Sequence, residues 1–299
     1  MFDYSDFREA SWLRWAAASP EEAKVCIMGI PFDNAVSLNK GAAHAPAVIR
    51  SMSVDMSDAA ENMTVIAPEL LYDFGDIHPI LDWEKYFSDV YAKALHLFQT
   101  GAFPLFIGGD HSVTIPLHKA FAKHYKGKKT GVIHFDAHYD LCPEYDGHKW
   151  SHACTEARAL EGVCEPDDLT FVGIRVAEEA ELELIAERPG ITTYRAVDVY
   201  ELGSKTIAGK LAEKYKYYDA VYLTLDIDVL DPAAAPGTGT PVAGGLSNRE
   251  LIEIFRRIIR SLPIKAMDIV EVAPTLDANN ITAWAAIRII HEVFSMFSE

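Results

Sequence analysis

The chain has 299 residues, 49% of them hydrophobic and 24% charged, with a formal net charge of −17 at pH 7. That length can bury a large core as one big domain or two small ones, and the composition is that of a soluble globular chain with no apolar run long enough to span a bilayer. The acidic balance argues against a nucleic-acid partner, which would need a basic face; gathered near a site, it would favour the approach of a cationic small molecule.

Cys26, Cys142, Cys154 and Cys164 form no C-x-x-C pair and read as reduced thiols of a cytoplasmic protein. Residues 1–6 are acidic and lack the basic start of a signal peptide.

In chain order, residues 1–22 read as an N-terminal helical arm anchored by Trp12, Leu13 and Trp15. Residues 24–30 are a buried strand, followed by a loop over 32–46 and a short helix over 45–52. A second strand is expected at 70–76. Apolar residues at helical spacing (Phe87, Val90, Tyr91, Ala94, Leu95, Phe98) predict a helix over 83–99 that Gly101 stops. The strand at 103–107 runs through a Gly-Gly turn into a helix over about 112–125. A strand at 130–135 follows, then a long loop over 141–151 and a helix over about 153–161. Further strands are expected at 169–174, 191–194, 220–225 and 264–272, and further helices at 177–187, 207–216 and 282–296. Ser247 and Glu250 stand at the two positions of a capping box. Strand and helix alternate throughout, with no linker or repeat, which predicts one domain built on a mostly parallel sheet covered on both faces.

Three of the apolar runs end in metal-type side chains. Residues 132–135 feed into Asp136, His138 and Asp140, residues 221–225 into Asp226 and Asp228, and residues 103–107 into Gly108-Gly109-Asp110-His111. On an extended backbone, positions i, i+2 and i+4 share a face, so the Asp-x-His-x-Asp run could aim at one point. Oxygen and nitrogen donors of that kind suit manganese, iron, nickel or zinc. A lone Asp after a strand is usually a turn or cap. Several such clusters, all at the strand ends where α/β sheets bind ligands, are a stronger signal. Asp136, Asp140, Asp226 and Asp228 would repel one another if buried together, and two divalent ions balance four carboxylates. A two-metal site can supply a strong water nucleophile at neutral pH, which predicts hydrolysis.

These segments carry a resemblance. Gly108-Gly109-Asp110-His111-Ser112, Asp136-Ala137-His138-Tyr139-Asp140 and Asp226-Ile227-Asp228-Val229-Leu230-Asp231-Pro232 look like the three motifs of the ureohydrolase family, in the expected order. Residues 29–33 and 46–50 resemble the family's N-terminal pattern. The resemblance implies a three-layer α/β/α sandwich around an eight-stranded, mostly parallel sheet. It implies two manganese ions: His111 and Asp140 on one, His138 and Asp228 on the other, Asp136 and Asp226 bridging. It implies that a metal-bridging hydroxide attacks a guanidino carbon and is hydrogen-bonded by Asp140. Glu271 would hold the substrate guanidinium and His152 would carry protons to the leaving amine, work that suits an imidazole. Trimers and hexamers occur in the family, so a homo-oligomer is expected.

The chain looks most like the members that act on agmatine, giving putrescine and urea. Guanidinobutyrate, guanidinopropionate, arginine or formiminoglutamate are the alternative substrates within the family. A non-catalytic metal-binding member is disfavoured by retention of all six ligands with His152 and Glu271, and a phosphoesterase by the lack of basic residues in the ligand-bearing segments. The departures are Thr224 where Ser is common, Ala153-Cys154 after His152, Asn39-Lys40-Gly41 in the N-terminal loop, and Cys142. The last two fall near the expected substrate entrance. Glu144 and Asp146 in the 141–151 loop are candidates to receive an ammonium tail, with plain solvation as the alternative.

Overall fold

The structure, a computed structural model, describes Phe7–Arg8, Trp12 and residues 15–299. Among the described residues, nine strands form one sheet: β1 (Phe7–Arg8), β2 (Val25–Gly29), β3 (Leu71–Ile77), β4 (Phe103–Ile107), β5 (Thr130–Phe135), β6 (Leu169–Ile174), β7 (Thr192–Arg195), β8 (Ala220–Asp226) and β9 (Ile264–Val270). Their order is β1-β3-β2-β4-β9-β8-β5-β6-β7. Eight strands are mutually parallel, and the two-residue β1 lies antiparallel to β3 at one edge.

Parallel strands must be buried on both faces, which is why they read as unbroken apolar runs rather than as alternating patterns. Side chains of one strand alternate between two cores. Val25 and Ile27 of β2, Leu105 and Ile107 of β4, and Val221, Leu223 and Leu225 of β8 face one. Cys26 and Met28, Phe106, and Ala220 and Tyr222 face the other. The first core is closed by α1 (Ala45–Met52), α6 (Ala196–Leu202), α7 (Ser204–Tyr215), α8 (Asn248–Ser261) and α9 (Ile281–Phe297). The second is closed by α2 (Trp83–Thr100), α3 (Thr114–His124), α4 (Thr155–Ala159) and α5 (Glu179–Glu187). This is the three-layer sandwich that the resemblance implied, on the mostly parallel sheet that the strand–helix alternation predicted.

Local chemistry sets the helix ends. Asp82 caps α2 by accepting from the Lys85 N–H, and Gly101, at φ 83°, turns the chain out of it. The Ser247–Glu250 capping box opens α8. No helix of the described residues is long and apolar enough to cross a membrane.

The N-terminal arm differs from expectation. Residues 7–8 pair as strand rather than helix, and residues 15–22 hold a bridge to Leu71 and turns. The edge of β3 offers unpaired backbone groups, and satisfying them outweighs a weak helical pattern. The rest of that expected helix, residues 1–6, 9–11, 13 and 14, lies outside the described residues. Helix α6 was not anticipated: it presents only Ala196 and Val199 to the core, too few for a helical period to show.

Candidate metal centre and active site

The strand order places β4, β9, β8 and β5 side by side at the middle of the sheet. The residues at or just past their C-terminal ends are His111, Glu271, Asp226 with Asp228, and Asp136 with His138 and Asp140. The topology therefore gathers at one point four segments far apart in sequence.

They converge by turning, however, not by strand alternation. β5 ends at Phe135, and residues 136–140 leave it as an irregular bend, with Asp140 in the left-handed region at φ 52°. β8 ends at Asp226, and Ile227–Val229 is a 3-10 turn. Backbone N–H groups inside these turns aim the carboxylates. The Asp228 N–H donates to Asp226 Oδ1 at 2.8 Å, the Ala137 N–H to Asp228 Oδ1 at 3.0 Å, and the His138 N–H to Asp136 Oδ1 at 2.6 Å. In the Gly-Gly turn, a Cβ at Gly109 would lie 1.7 Å from the Phe32 carbonyl oxygen, so only glycine lets that loop pass.

Two groups of ligand atoms result. His111 Nδ1 lies 3.1 Å from Asp136 Oδ2, 3.1 Å from Asp140 Oδ2 and 3.4 Å from Asp226 Oδ2. His138 Nδ1 lies 3.3 Å from Asp136 Oδ1 and 3.0 Å from Asp228 Oδ2. Asp136 thus faces both histidines, each with a different oxygen.

The donor set fits divalent cations, and the local chemistry shows why. Thr224 donates its hydroxyl to Asp268 Oδ1 at 2.6 Å, so toward His111 Nε2, 2.9 Å away, it can only accept. That leaves the lone pair of a neutral His111 on Nδ1, a buried atom with no hydrogen bond and three carboxylate oxygens around it. Without another cation, protons must balance the cluster. Burial, then Asp228 and Asp136, push the Asp226 carboxyl well above its ordinary range. Burial opposes charge on the imidazoles too, yet the carboxylates hold His111 well above its usual value and raise His138 to about 12. A divalent cation brought to this point would take the place of those protons and bring the carboxyl and imidazole values down again.

A further layer escaped the sequence reading. His134, inside the apolar run of β5, is fully buried; its Nε2 lies 2.9 Å from Asp136 Oδ2 and its Nδ1 2.8 Å from Glu156 Oε1 on α4. Burial disfavours its charge, but the two carboxylates raise it to about 9. A histidine in an otherwise unbroken buried strand was the available signal. Arg175, just past β6, is another: it donates to the carbonyls of Asp228, Leu230 and Val242 and ties down the loop that follows β8.

Glu271 and His152 adjoin the cluster. Glu271 sits in the left-handed region at φ 61° and is 1% exposed; Oε1 accepts from the His111 N–H at 2.9 Å and lies 3.0 Å from His152 Nδ1. Strain of this kind in Asp140 and Glu271 costs on the order of 1–3 kcal/mol each and gathers at functional sites.

His138, Asp140, His152 and Asp226 open into a cavity of about 180 Å³ that Ser37 and Cys142 also line, with Tyr145, Glu178, Glu181 and Thr240 among its outer wall; Glu271, in contact with His152, is not itself in the wall. Glu144 and Asp146 are not in that wall but exposed. Tyr145 and His148 exchange backbone hydrogen bonds of 3.0 and 2.9 Å, with Asp146 at φ 48° and Gly147 at φ 74° between them. This is a tight Asp-Gly hairpin turn whose tip points Asp146 to solvent. The carboxylates of the outer wall come instead from the start of α5: Glu178 is exposed, whereas Glu181 is buried, accepting from the Leu141 and Glu178 N–H groups at 2.9 Å each. Cys142 and Cys154 are buried, and burial raises their thiols to about 12 and about 11, so neither is a ready thiolate.

Comparison with known proteins agrees with the geometry. The profile described as "Arginase family" matches residues 23–295. An agmatinase of Bacillus cereus is 37% identical over 276 residues, covering 91% of each chain. The solved agmatine ureohydrolase of Thermoplasma volcanium superposes with a TM-score of 0.85 at 28% identity, over 97% of this chain and 95% of that one. The formimidoylglutamase of Bacillus subtilis superposes with a TM-score of 0.87 at 29% identity, over 99% and 96%.

Proposed function

The chain belongs to the arginase family, and from that premise we propose that it is a metal-dependent ureohydrolase whose substrate is agmatine, hydrolysed to putrescine and urea. The observation that carries the substrate is the cavity. It is well below the ~300–1,000 Å³ of pockets for drug-sized ligands, has buried carboxylates at its floor and the exposed Glu178 at its mouth, and among the described residues has no lysine or arginine in its wall. A slim molecule with a cation at each end suits that wall, and one ending in a carboxylate does not.

His111, Asp136, Asp140 and Asp226 would hold one divalent cation, and His138 and Asp228, with Asp136 and Asp226 shared, the other. Imidazole and carboxylate donors suit manganese. Such ions supply Lewis acidity and a water of lowered pKa. The chain's own groups do the rest. Glu271 uses Oε1 on His111 and His152, leaving Oε2 for guanidinium N–H groups in a charge-assisted bond. His152, buried beside it, gives the departing amine its proton, so that guanidinium and water become an alkylammonium ion and neutral urea with charge conserved. Glu178 receives the distal ammonium. A single catalytic domain, a cytoplasmic location with four unpaired buried cysteines, and a homo-oligomer complete the proposal.

The test is urea release by manganese-loaded protein from agmatine, guanidinobutyrate, guanidinopropionate and arginine, with formamide release from formiminoglutamate alongside. Agmatine is expected to be turned over far faster than the rest. Preference for a carboxylate-ended compound overturns the substrate; no turnover with two metals bound overturns the reading altogether.

A further inference from the structure

His152 is held from both sides. On the inner side Nδ1 meets Glu271 Oε1 at 3.0 Å. On the outer side Nε2 meets two atoms of one residue: the Ser37 backbone N–H donates to it at 2.9 Å, and Ser37 Oγ is also 2.9 Å away. Ser37 lies on the loop between β2 and α1, remote in sequence from every motif of the site. That loop is anchored on the site elsewhere too. The Ala35 N–H donates to Asp110 Oδ2 at 2.9 Å, the Ala35 carbonyl accepts from the His152 N–H at 3.2 Å, and Asn39 Nδ2 donates to the Gly239 carbonyl at 3.0 Å.

The two atoms of Ser37 serve different forms of the ring. When His152 is neutral with its proton on Nδ1, the bare Nε2 accepts from the Ser37 N–H. When the ring is an imidazolium, Nε2–H needs an acceptor, and the Ser37 oxygen is in place. His152 is 8% exposed, whereas Ser37 is exposed and lines the cavity. The hydroxyl therefore spans from the buried ring to solvent.

We propose that Ser37 is the positioning and proton-relay partner of His152, its hydroxyl passing protons between solvent and Nε2. In the recharging step a solvent O–H bond breaks as a new one forms on Ser37 Oγ, and the original Oγ–H proton moves to Nε2. The serine is unchanged and the ring gains one proton. Giving that Nε2 proton to the departing amine returns the ring to its neutral form with the proton on Nδ1, ready for the next delivery. The charged and titratable groups facing His152 are Glu271 past β9, Asp140 past β5 and Asp110 past β4; they outweigh burial and raise the ring to about 9, so it can hold the proton the relay delivers.

The proposal rests on the ureohydrolase reading, and its test separates the two. Ser37→Ala keeps the backbone N–H and removes the hydroxyl; Ser37→Thr restores a hydroxyl. In manganese-loaded protein, Ser37→Ala should lose about tenfold in kcat, part of the ~10²–10⁴-fold that general acid catalysis contributes, with KM within about twofold. Ser37→Thr should recover most of the loss, and added imidazole buffer should raise kcat of Ser37→Ala but not of the parent. Unchanged kcat in Ser37→Ala overturns the proposal, as does a loss that neither threonine nor buffer repairs. A second readout needs no turnover: the ring ¹⁵N signals of His152 should titrate at lower pH in Ser37→Ala. An identical titration overturns the relay even if the parent enzyme proves inactive on every compound tried, a result that by itself would overturn only the functional reading.

Discussion

Two buried charge clusters lie near the C-terminal ends of strands in this molecule, and they are built on opposite principles. At the β3 edge, Arg50 from α1 reaches Asp73 through Nε at 2.7 Å and Nη2 at 2.9 Å, and also pairs with Asp76. The Gly75 carbonyl accepts from the same guanidinium. Gly29 makes room, since a Cβ there would fall 1.9 Å from Asp76 Oδ1. The chain supplies its own cation, and the cluster is closed. At the centre of the sheet, four carboxylates meet two imidazoles whose Nδ1 atoms face inward, and among the described residues no lysine or arginine side chain joins them in the cavity wall. Burying carboxylates is tolerable only with positive charge nearby. The first region obtains it from sequence and the second from solution, and that separates a structural cluster from a site.

The contrast breaks most sharply if a ligand of the open cluster is neutralised. Asp136→Asn removes the one carboxylate that faces both histidines, so kcat/KM should fall on the order of 10³-fold or more, with bound metal lost on elemental analysis. Chelation should lower the melting temperature of the parent protein and leave this variant nearly unmoved. A variant that retains two metals per chain would show that Asp136 is not shared between them.

The closed cluster should respond in the other currency. Arg50→Met leaves two buried carboxylates unpaired and should cost roughly 3–5 kcal/mol in stability, read by urea denaturation. Metal affinity of the surviving folded fraction should stay within a fewfold of the parent. A large loss of metal with unchanged stability would erase the distinction between the regions.

Between these extremes lies the support of the open cluster. Glu156→Gln removes the charge behind His134, which in turn orients Asp136. Groups that hold a ligand in place typically contribute ~10–100-fold in metal affinity, and a competition titration against a chelator should show a loss in that range with the fold intact by circular dichroism.

Much of this was legible in advance, for identifiable reasons. Strands buried on both faces announce themselves as apolar runs, and ligands placed just beyond them announce the site. What the residues could not show was how the chain turns there. Asp136, His138 and Asp140 converge through a bend with a left-handed Asp140, a conformation set by tertiary packing rather than by spacing. His134 was hidden because its neighbours are apolar, and its role depends on α4 arriving with Glu156. Ser37 carries no motif at all, and its contact with His152 spans 115 positions in the chain. Asp146 could have been set aside from sequence alone: Asp-Gly is a strong hairpin-turn signal, and turn tips face solvent.

The smallest expected effect bears on the outer wall. Glu178 is exposed, so its attraction for an ammonium group is screened and should be comparable to a surface ion pair, ~0.2–1 kcal/mol. Glu178→Gln should therefore raise KM for agmatine by no more than about fivefold and leave kcat nearly unchanged, because the distal ammonium lies away from the reacting carbon. The same substitution should not alter KM for an alkylguanidine without a second charge. Because mobile ions screen an exposed pair and scarcely reach a buried one, the KM difference between parent and variant should also shrink as salt rises. Glu144→Gln and Asp146→Asn, at the solvent-facing turn, should do less than Glu178→Gln. If either of them moves KM for agmatine more, the tail is held by the 141–151 loop and the outer wall has been assigned to the wrong element.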